Sequence, residues 1–384
     1  MHLQPTSPGV ALTDQVSEML ARNAVVAIGV SGGKDSDACA IATSEYLDAI
    51  GHTGPRLLVH SDLGMVEWKQ SAIKCEELAA ALGMELVTVR RAAGGLMERW
   101  ESRWASNVRR YSEMDCVKVI LPWSTPALRF CTSELKSTVI ASYLKKRFRG
   151  QEIINVTGIR RQESASRRKA EVSKVDPRLS LKGLNGVTWN SVIEWTIEEV
   201  KAAIARRGLV LHEAYTRWGV SRVSCVMCVM SSSADLRASA ACPDNQDVYR
   251  RMVSLEADST FAFQSNNWLG DVATHLLGDE LLERLFAAKE AARRREIAEA
   301  RIPSGLEYQK GWPTRRPTYS EAQIIAEVRL EVADALHLGS INYTSAASVL
   351  ERYDELLAAK LEKTPAQVIQ LPGQPQLEQL QLGW

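Results

Sequence analysis

The stretch VVAIGVSGGKDSDACAIA, residues 25–42, decides how the rest of the chain is read. Its first six residues are apolar and rich in β-branched side chains, which suits a short buried strand. Ser31, Gly32, Gly33, Lys34, Asp35 and Ser36 then make a glycine-rich turn, and a helix-like stretch follows. A strand, a glycine turn and a helix start together build an anion site. The glycines let the backbone approach closely, and the unpaired amides at the helix start point at the anion. Ser31 and Ser36 add hydroxyl donors, and Lys34 adds charge. The spacing is not that of the G-x-x-x-x-G-K-[ST] loop, because Gly29 is one residue too close to Gly33 and Asp35 stands where Ser or Thr would meet magnesium. Nor is it the dinucleotide pattern G-x-G-x-x-G.

Working outward, strand and helix alternate. RLLVHSD (56–62) and MELVTVRR (84–91) read as strands. DACAIATSEYLDAIG (37–51) and EWKQSAIKCEELAAALG (67–83) read as helices closed by glycine. A short helix is expected over 13–22, a helix over 131–148, and a strand running into a loop over 151–161. Thr196 with Glu199 three residues on marks a capping box for a helix over 195–208. Residues 92–130, rich in Trp and Arg, read as an irregular insertion or lid. The alternation predicts an α/β fold with a parallel sheet and helices on both faces. From about 243 the strands give out and four helical segments follow. We expect a first domain over 1–242, a helical extension over 243–316, and an all-helical C-terminal region with a Pro/Gln/Leu-rich tail over 317–384.

The net charge of +1 is far from that of a protein whose main task is to coat nucleic acid. No apolar leader and no run of about 18 apolar residues occurs, so a cytoplasmic location without membrane insertion is expected. Seven cysteines in such a compartment point to thiols or metal ligands, not to a disulfide framework.

SGGKDS (31–36), placed after the first strand, resembles the PP-loop of the ATP pyrophosphatase superfamily. VHSDLG (59–64), RFCTSELK (129–136), VTGIRRQESASR (156–167), WNSVIEWTIEEV (189–200) and YTRWGVSRVSCVMC (215–228) follow in the order of its PAPS reductase-like branch. The resemblance covers residues 24 to about 260. It implies an adenine nucleotide alpha hydrolase-like fold and a site for ATP, or for PAPS, with Mg2+. On this basis Lys34, Asp35 and Arg160 are candidate catalytic residues. Ser31, Gly32, Gly33, Lys34, Asp35, Ser36, Asp62, Gly158, Arg160, Arg161 and Arg167 are candidate nucleotide ligands. Arg160 and Arg161 lie just past a predicted strand end, the edge where open α/β sheets bind ligands, and arginine forks suit phosphate or sulfate. Asp62 is placed to hold the adenosine or its ribose.

Cys225 and Cys228 form a C-x-x-C, a spacing at which two thiolates chelate one metal or cluster. By resemblance, Cys131 aligns with one cysteine of the pair that holds an iron–sulfur cluster in cluster-bearing relatives, and Phe130 stands in the place of the other. Cys131, Cys225, Cys228 and Cys242 are then the candidate ligands of a 4Fe–4S cluster, with Cys116 the other choice for the fourth position. Cys39 and Cys75 read as packing. Thiol-using sulfonucleotide reductases carry a cysteine in a C-terminal tail, and this sequence has none after Cys242.

Within the branch, the ATP pyrophosphatase of DNA phosphorothioation is the nearest resemblance. It implies adenylation of an acceptor, such as a DNA backbone phosphate, so that sulfur can replace oxygen. The implied partners are a cysteine desulfurase and DNA-binding subunits, with DNA presented by partners. A PAPS reductase-like sulfonucleotide enzyme and a non-catalytic nucleotide sensor are the alternatives. Trp104 and Trp123 are either base-stacking or packing residues.

Overall fold

A computed structural model describes residues 9–265 and 267–363. The expected tail from 364 onward lies outside the described residues. The chain forms two compact units. Among the described residues, unit 1 runs up to Asn107 and resumes over Ile120–Ala292, and unit 2 comprises Val108–Val119 and the described residues from Arg293 to 363.

Unit 1 is built on a six-stranded sheet. Its strands are β1 (Val25–Val30), β2 (Arg56–Asp62), β3 (Glu85–Arg90), β4 (Ile153–Val156), β5 (Ser173–Val175) and β6 (Gly186–Trp189). The order is β3-β2-β1-β4-β6-β5. All pairs are parallel except β5 with β6, so the expected parallel sheet carries one short antiparallel edge strand.

Successive β1 residues face opposite sides of the sheet, as strand geometry requires. Val26 and Ile28 pack in one core with residues of α2 (Lys34–Ala49) and α3 (Lys69–Leu82). Val25 and Ala27 pack in another with Ala141, Leu144 and Phe148. Both faces of β1 are therefore apolar and covered, which is why its sequence lacks polar alternation. The α3 helix stops where predicted, at Gly83 in the left-handed conformation, with φ at 61°. The Thr196–Glu199 capping box forms as expected and opens the helix Ile197–Arg206.

The segment expected to be an irregular insertion contains a regular helix, α4 (Leu96–Ser112). Its apolar stripe was hidden by six charged residues among seventeen, but Trp100 and Met97 are buried in a third core with Trp123 and Phe263. Trp123 is fully buried and its indole N–H donates to the Phe261 carbonyl at 2.9 Å. Trp104 packs edge-on against Phe261. Both tryptophans are packing residues.

In unit 2, the helices Tyr319–Ala335 and Ala346–Lys363 pack together. Arg329 is fully buried there, and its guanidinium donates to the carbonyls of Tyr111, Ser112, Asn342 and Tyr343. The fold has no strand beyond β6 among the described residues. No helix among them is long and apolar enough to cross a membrane.

Candidate nucleotide site

Between β1 and β4 the chain order reverses: β1 pairs β2 on one side and β4 on the other. Loops leaving the two strands diverge there, and the gap at their carboxyl ends is where open α/β sheets bind ligands. The SGGKDS loop occupies this gap. A cavity of about 320 Å³ opens beside it. Its walls are the ends of β1, β2 and β4, the helical stretch 129–140, and the segment 215–225.

The loop has the expected form. Gly32 takes φ at 69°, and Gly33 is the extended N-cap of α2 with no side-chain cap. Among the described residues, the amides of Gly32 and Gly33 have no acceptor. They are free for an anion, and the start of α2 adds its dipole. The Ser36 hydroxyl donates to the Gly33 carbonyl at 2.8 Å and accepts from the Ser31 amide at 3.2 Å. These bonds close the turn.

Two close approaches need glycine. A Cβ on Gly32 would lie 2.9 Å from the Ser71 carbonyl oxygen, and one on Gly158 would lie 2.5 Å from that of Asp35. Gly158 therefore lets the loop after β4 rest on the phosphate loop.

The predicted side chains divide. Gly33, Ser31, Asp35, Ser36, Gly158 and Arg167 line the cavity. Lys34 turns to the Ser221 carbonyl at 3.0 Å, and its ammonium lies 4.4 Å from the centre of the Tyr215 ring. Burial lowers its pKa, against the opposing charge of Asp35. Arg160 is buried and spans Asp35 at 2.6 Å, Gln162 at 3.0 Å and the Trp195 carbonyl at 3.3 Å. It braces the loop from outside the cavity. Arg161 binds Glu194 and the carbonyls of Arg168 and Ala170. Asp62 accepts from the Gly64 amide at 2.7 Å and faces Arg90 at 3.5 Å, so it holds a turn.

Further residues complete the site. Tyr215 accepts from the amides of Lys34 at 3.3 Å and Val223 at 3.1 Å, tying the 215–225 segment to the start of α2. Thr132, Lys136 and Ser137 reach the cavity from a helix interrupted by a π turn over Ser133–Ser137. Such turns re-aim side chains and often mark functional sites. The Ser61 hydroxyl, from the end of β2, donates to the Leu135 carbonyl inside that turn at 2.6 Å. A helical sequence pattern carries no trace of a π turn, which is why Lys136 was not singled out.

The charges in the wall are unequal. Its three carboxylates are each matched: Asp35 by Arg160, Glu163 by Arg167, and Glu67 by His60. Among its cations, Lys136 and Arg222 have no hydrogen-bond or ion-pair partner among the described residues, and Arg129 has only the Thr132 hydroxyl at 3.3 Å. The cavity thus carries an uncompensated positive charge beside free amides.

Cys225 also lines the cavity. Burial pushes its thiol up to about 12, the neighbouring Cys228 adds to this, and Lys136 opposes it. Cys131 is also among the groups acting on it. Cys242 has other neighbours: the Asp244 amide, and the charges of Asp244 and Glu213. Cys116 belongs to unit 2 and is buried. Among the described residues, no group of three or more His, Cys, Asp or Glu side chains is placed to hold a metal ion. As placed, the thiols do not fit a cluster. Cys39 and Cys75 are fully buried in the core, as expected.

A glycine phosphate loop at a sheet switch point, beside a cationic cavity, defines a nucleotide-binding α/β protein of the PP-loop class. Residues 25–231 match the phosphoadenosine phosphosulfate reductase domain family, and the chain belongs to it. It is thereby a member of the PAPS reductase-like branch of the PP-loop superfamily, and that branch consists of nucleotide-using enzymes of sulfur chemistry. No curated relative matches the sequence. Similar solved structures include a phosphoadenylyl-sulfate (PAPS) reductase from Candida auris in complex with phosphate. It is 15% identical, with a TM-score of 0.34, over 57% of this chain and 98% of that one. Another is the U34-tRNA thiolase NcsA from Methanococcus maripaludis with its [4Fe-4S] cluster. It is also 15% identical, with a TM-score of 0.32, over 63% of this chain and 76% of that one.

Proposed function

We propose that the protein is an ATP pyrophosphatase that adenylates an acceptor, a DNA backbone phosphate by resemblance, for sulfur incorporation. The observation that supports this most is the cavity's charge: matched carboxylates, three unmatched cations and the free Gly33 amide in its wall, with the free Gly32 amide next to it in the loop. Such a site suits a polyphosphate.

An acceptor oxygen attacks the α-phosphorus of ATP. The new O–P bond forms as the bond to the β-phosphate oxygen breaks, and the electron pair leaves on pyrophosphate. The Gly32 and Gly33 amides and the unmatched cations stabilise the charge that develops. A thiol reductant cleaves the persulfide of a desulfurase partner to release hydrosulfide, whose sulfur then forms the new S–P bond on the acceptor as the bond to AMP breaks and AMP leaves with the electron pair. Magnesium prefers oxygen ligands and usually keeps substrate phosphates and water among them. The oxygens of Asp35, Ser31 and Ser36 fit that chemistry. Magnesium would neutralise charge on the leaving pyrophosphate.

A cluster on Cys131, Cys225 and Cys228 requires these thiols to draw together, and the iron content of protein purified without oxygen tests it. Titration with ATP, AMP and PAPS, each with magnesium, tests the nucleotide. ATP binding more tightly than AMP supports the proposal. Tight binding of PAPS with none of ATP moves the protein to the sulfonucleotide reading.

A further inference from the structure

His60 lies on β2 opposite Val30, its register partner on β1 and the residue just before the phosphate loop. It is buried, with 2% exposure. Its Nδ1 is 3.2 Å from the Val30 carbonyl oxygen and its Nε2 is 3.1 Å from Oε2 of Glu67. A carbonyl can only accept, and so can a carboxylate. Both nitrogens face an acceptor oxygen, and only an imidazolium donates to both at once. His212, which faces the Ser71 hydroxyl, makes the contrast. Its Nδ1 accepts from the Ala214 amide at 3.0 Å, which requires a neutral ring.

Other groups face His60 too. From α3, the Cys75 sulfur lies 3.8 Å from Nδ1, and Asp37 of α2 acts on that sulfur. Burial opposes charge on the ring, but the hydrogen bonds to Cys75 and Glu67 outweigh it and hold His60 up to about 10.

We propose that His60 is a positioning residue: its imidazolium holds the Glu67 carboxylate against the cavity wall and neutralises it, so that a polyphosphate can occupy the space beside it. The other two carboxylates of the wall are matched by arginines, which cannot lose their charge. Only Glu67 depends on a histidine. With a neutral residue at 60, Glu67 becomes an unmatched anion facing the phosphates, which repels them. The nucleotide half of this inference rests on the function proposed above, while the ion pair itself does not.

Two measurements on the full chain separate these halves. The first is nitrogen NMR of the ligand-free protein with labelled histidine. At about pH 8, where an ordinary histidine is neutral, His60 is expected to carry protons on both nitrogens. The Glu67→Gln variant is expected to lose one of them. A singly protonated His60 in the wild type overturns the proposal.

The second is ATP titration. His60→Gln is expected to weaken binding by about tenfold or more, and adding Glu67→Gln is expected to recover most of the loss. A double variant no better than the single overturns the proposal, because a merely structural histidine gives that result. Should His60→Gln fail to fold, the NMR comparison of wild type with Glu67→Gln still decides. Should the wild type bind no nucleotide while His60 is doubly protonated, the function fails and the ion pair stands.

Discussion

In unit 2, Arg301 bridges Glu327 and Glu331, Arg315 pairs with Glu321, and Arg352 pairs with Asp115 and Glu355. Arg329, with no carboxylate, is enclosed by four carbonyls. Each of these cations is spent on the unit's own structure. In the cavity of unit 1, Arg129, Lys136 and Arg222 face no carboxylate, while the carboxylates beside them are matched. Folding does not need these three charges where they stand. A cation without a partner at a phosphate loop is available to a ligand, whereas a cation enclosed by acceptors belongs to the fold.

The largest expected effect tests the frame that holds the unmatched cations. Gly158→Ala places a methyl 2.5 Å from the Asp35 carbonyl, which must drive the two loops apart. We expect nucleotide binding to be abolished, read by titration. Intact binding would show that the loops do not need this contact.

Next, Arg329→Met leaves four carbonyls in unit 2 short of their donor. We expect a loss of about 3–5 kcal/mol in unfolding free energy, read by denaturant titration.

Lys136→Ala should act in the opposite sense. We expect ATP affinity to fall by about tenfold to a hundredfold with the unfolding midpoint unchanged, because the ammonium has no partner in the fold. A lower midpoint with unchanged affinity would erase the distinction between the two units.

The two histidines sharpen the comparison through pH. Burial, aided by Lys74, lowers His212 to about 4. Its neutral form is the folded one, so its contribution is intact above about pH 6.5 and is lost as the pH falls toward 4. His60 is raised to about 10, so its contribution is intact below about pH 6.5 and is lost as the pH rises through 10. We expect His212→Gln to flatten the acid limb of the stability profile and leave the alkaline limb in place. The smallest effect is that of Arg301→Ala, a surface pair, with little change in melting temperature.

Much of the frame was legible in the sequence because it rests on local rules. The apolar run before SGGKDS, the glycine at 83 and the Thr196–Glu199 box each specify their own element. The α4 helix was missed because its stripe of Met97 and Trp100 lies among arginines and glutamates, and only the packed core shows which face is buried. In the site, the glycine loop and Gly158 stand out in the sequence, and the fold brings Ser31, Gly33, Asp35, Ser36 and Gly158 to one cavity. The side chains around them were not legible. Arg160 and Arg161 follow a strand end, as a ligand-binding arginine would, but the chain folds acceptors around both. The Lys136 position depends on a π turn held by Ser61, a contact between residues 74 positions apart. The charge of His60 depends on which atoms face its two nitrogens.

The central claim is that the cavity places ATP for attack at its α-phosphorus. The direct measurement is product analysis of ATP with magnesium, on protein purified without oxygen, with and without DNA. The account predicts pyrophosphate with AMP or an adenylated acceptor, at a rate that drops in Lys136→Ala. ADP with inorganic phosphate, or ATP bound and released unchanged, would contradict it.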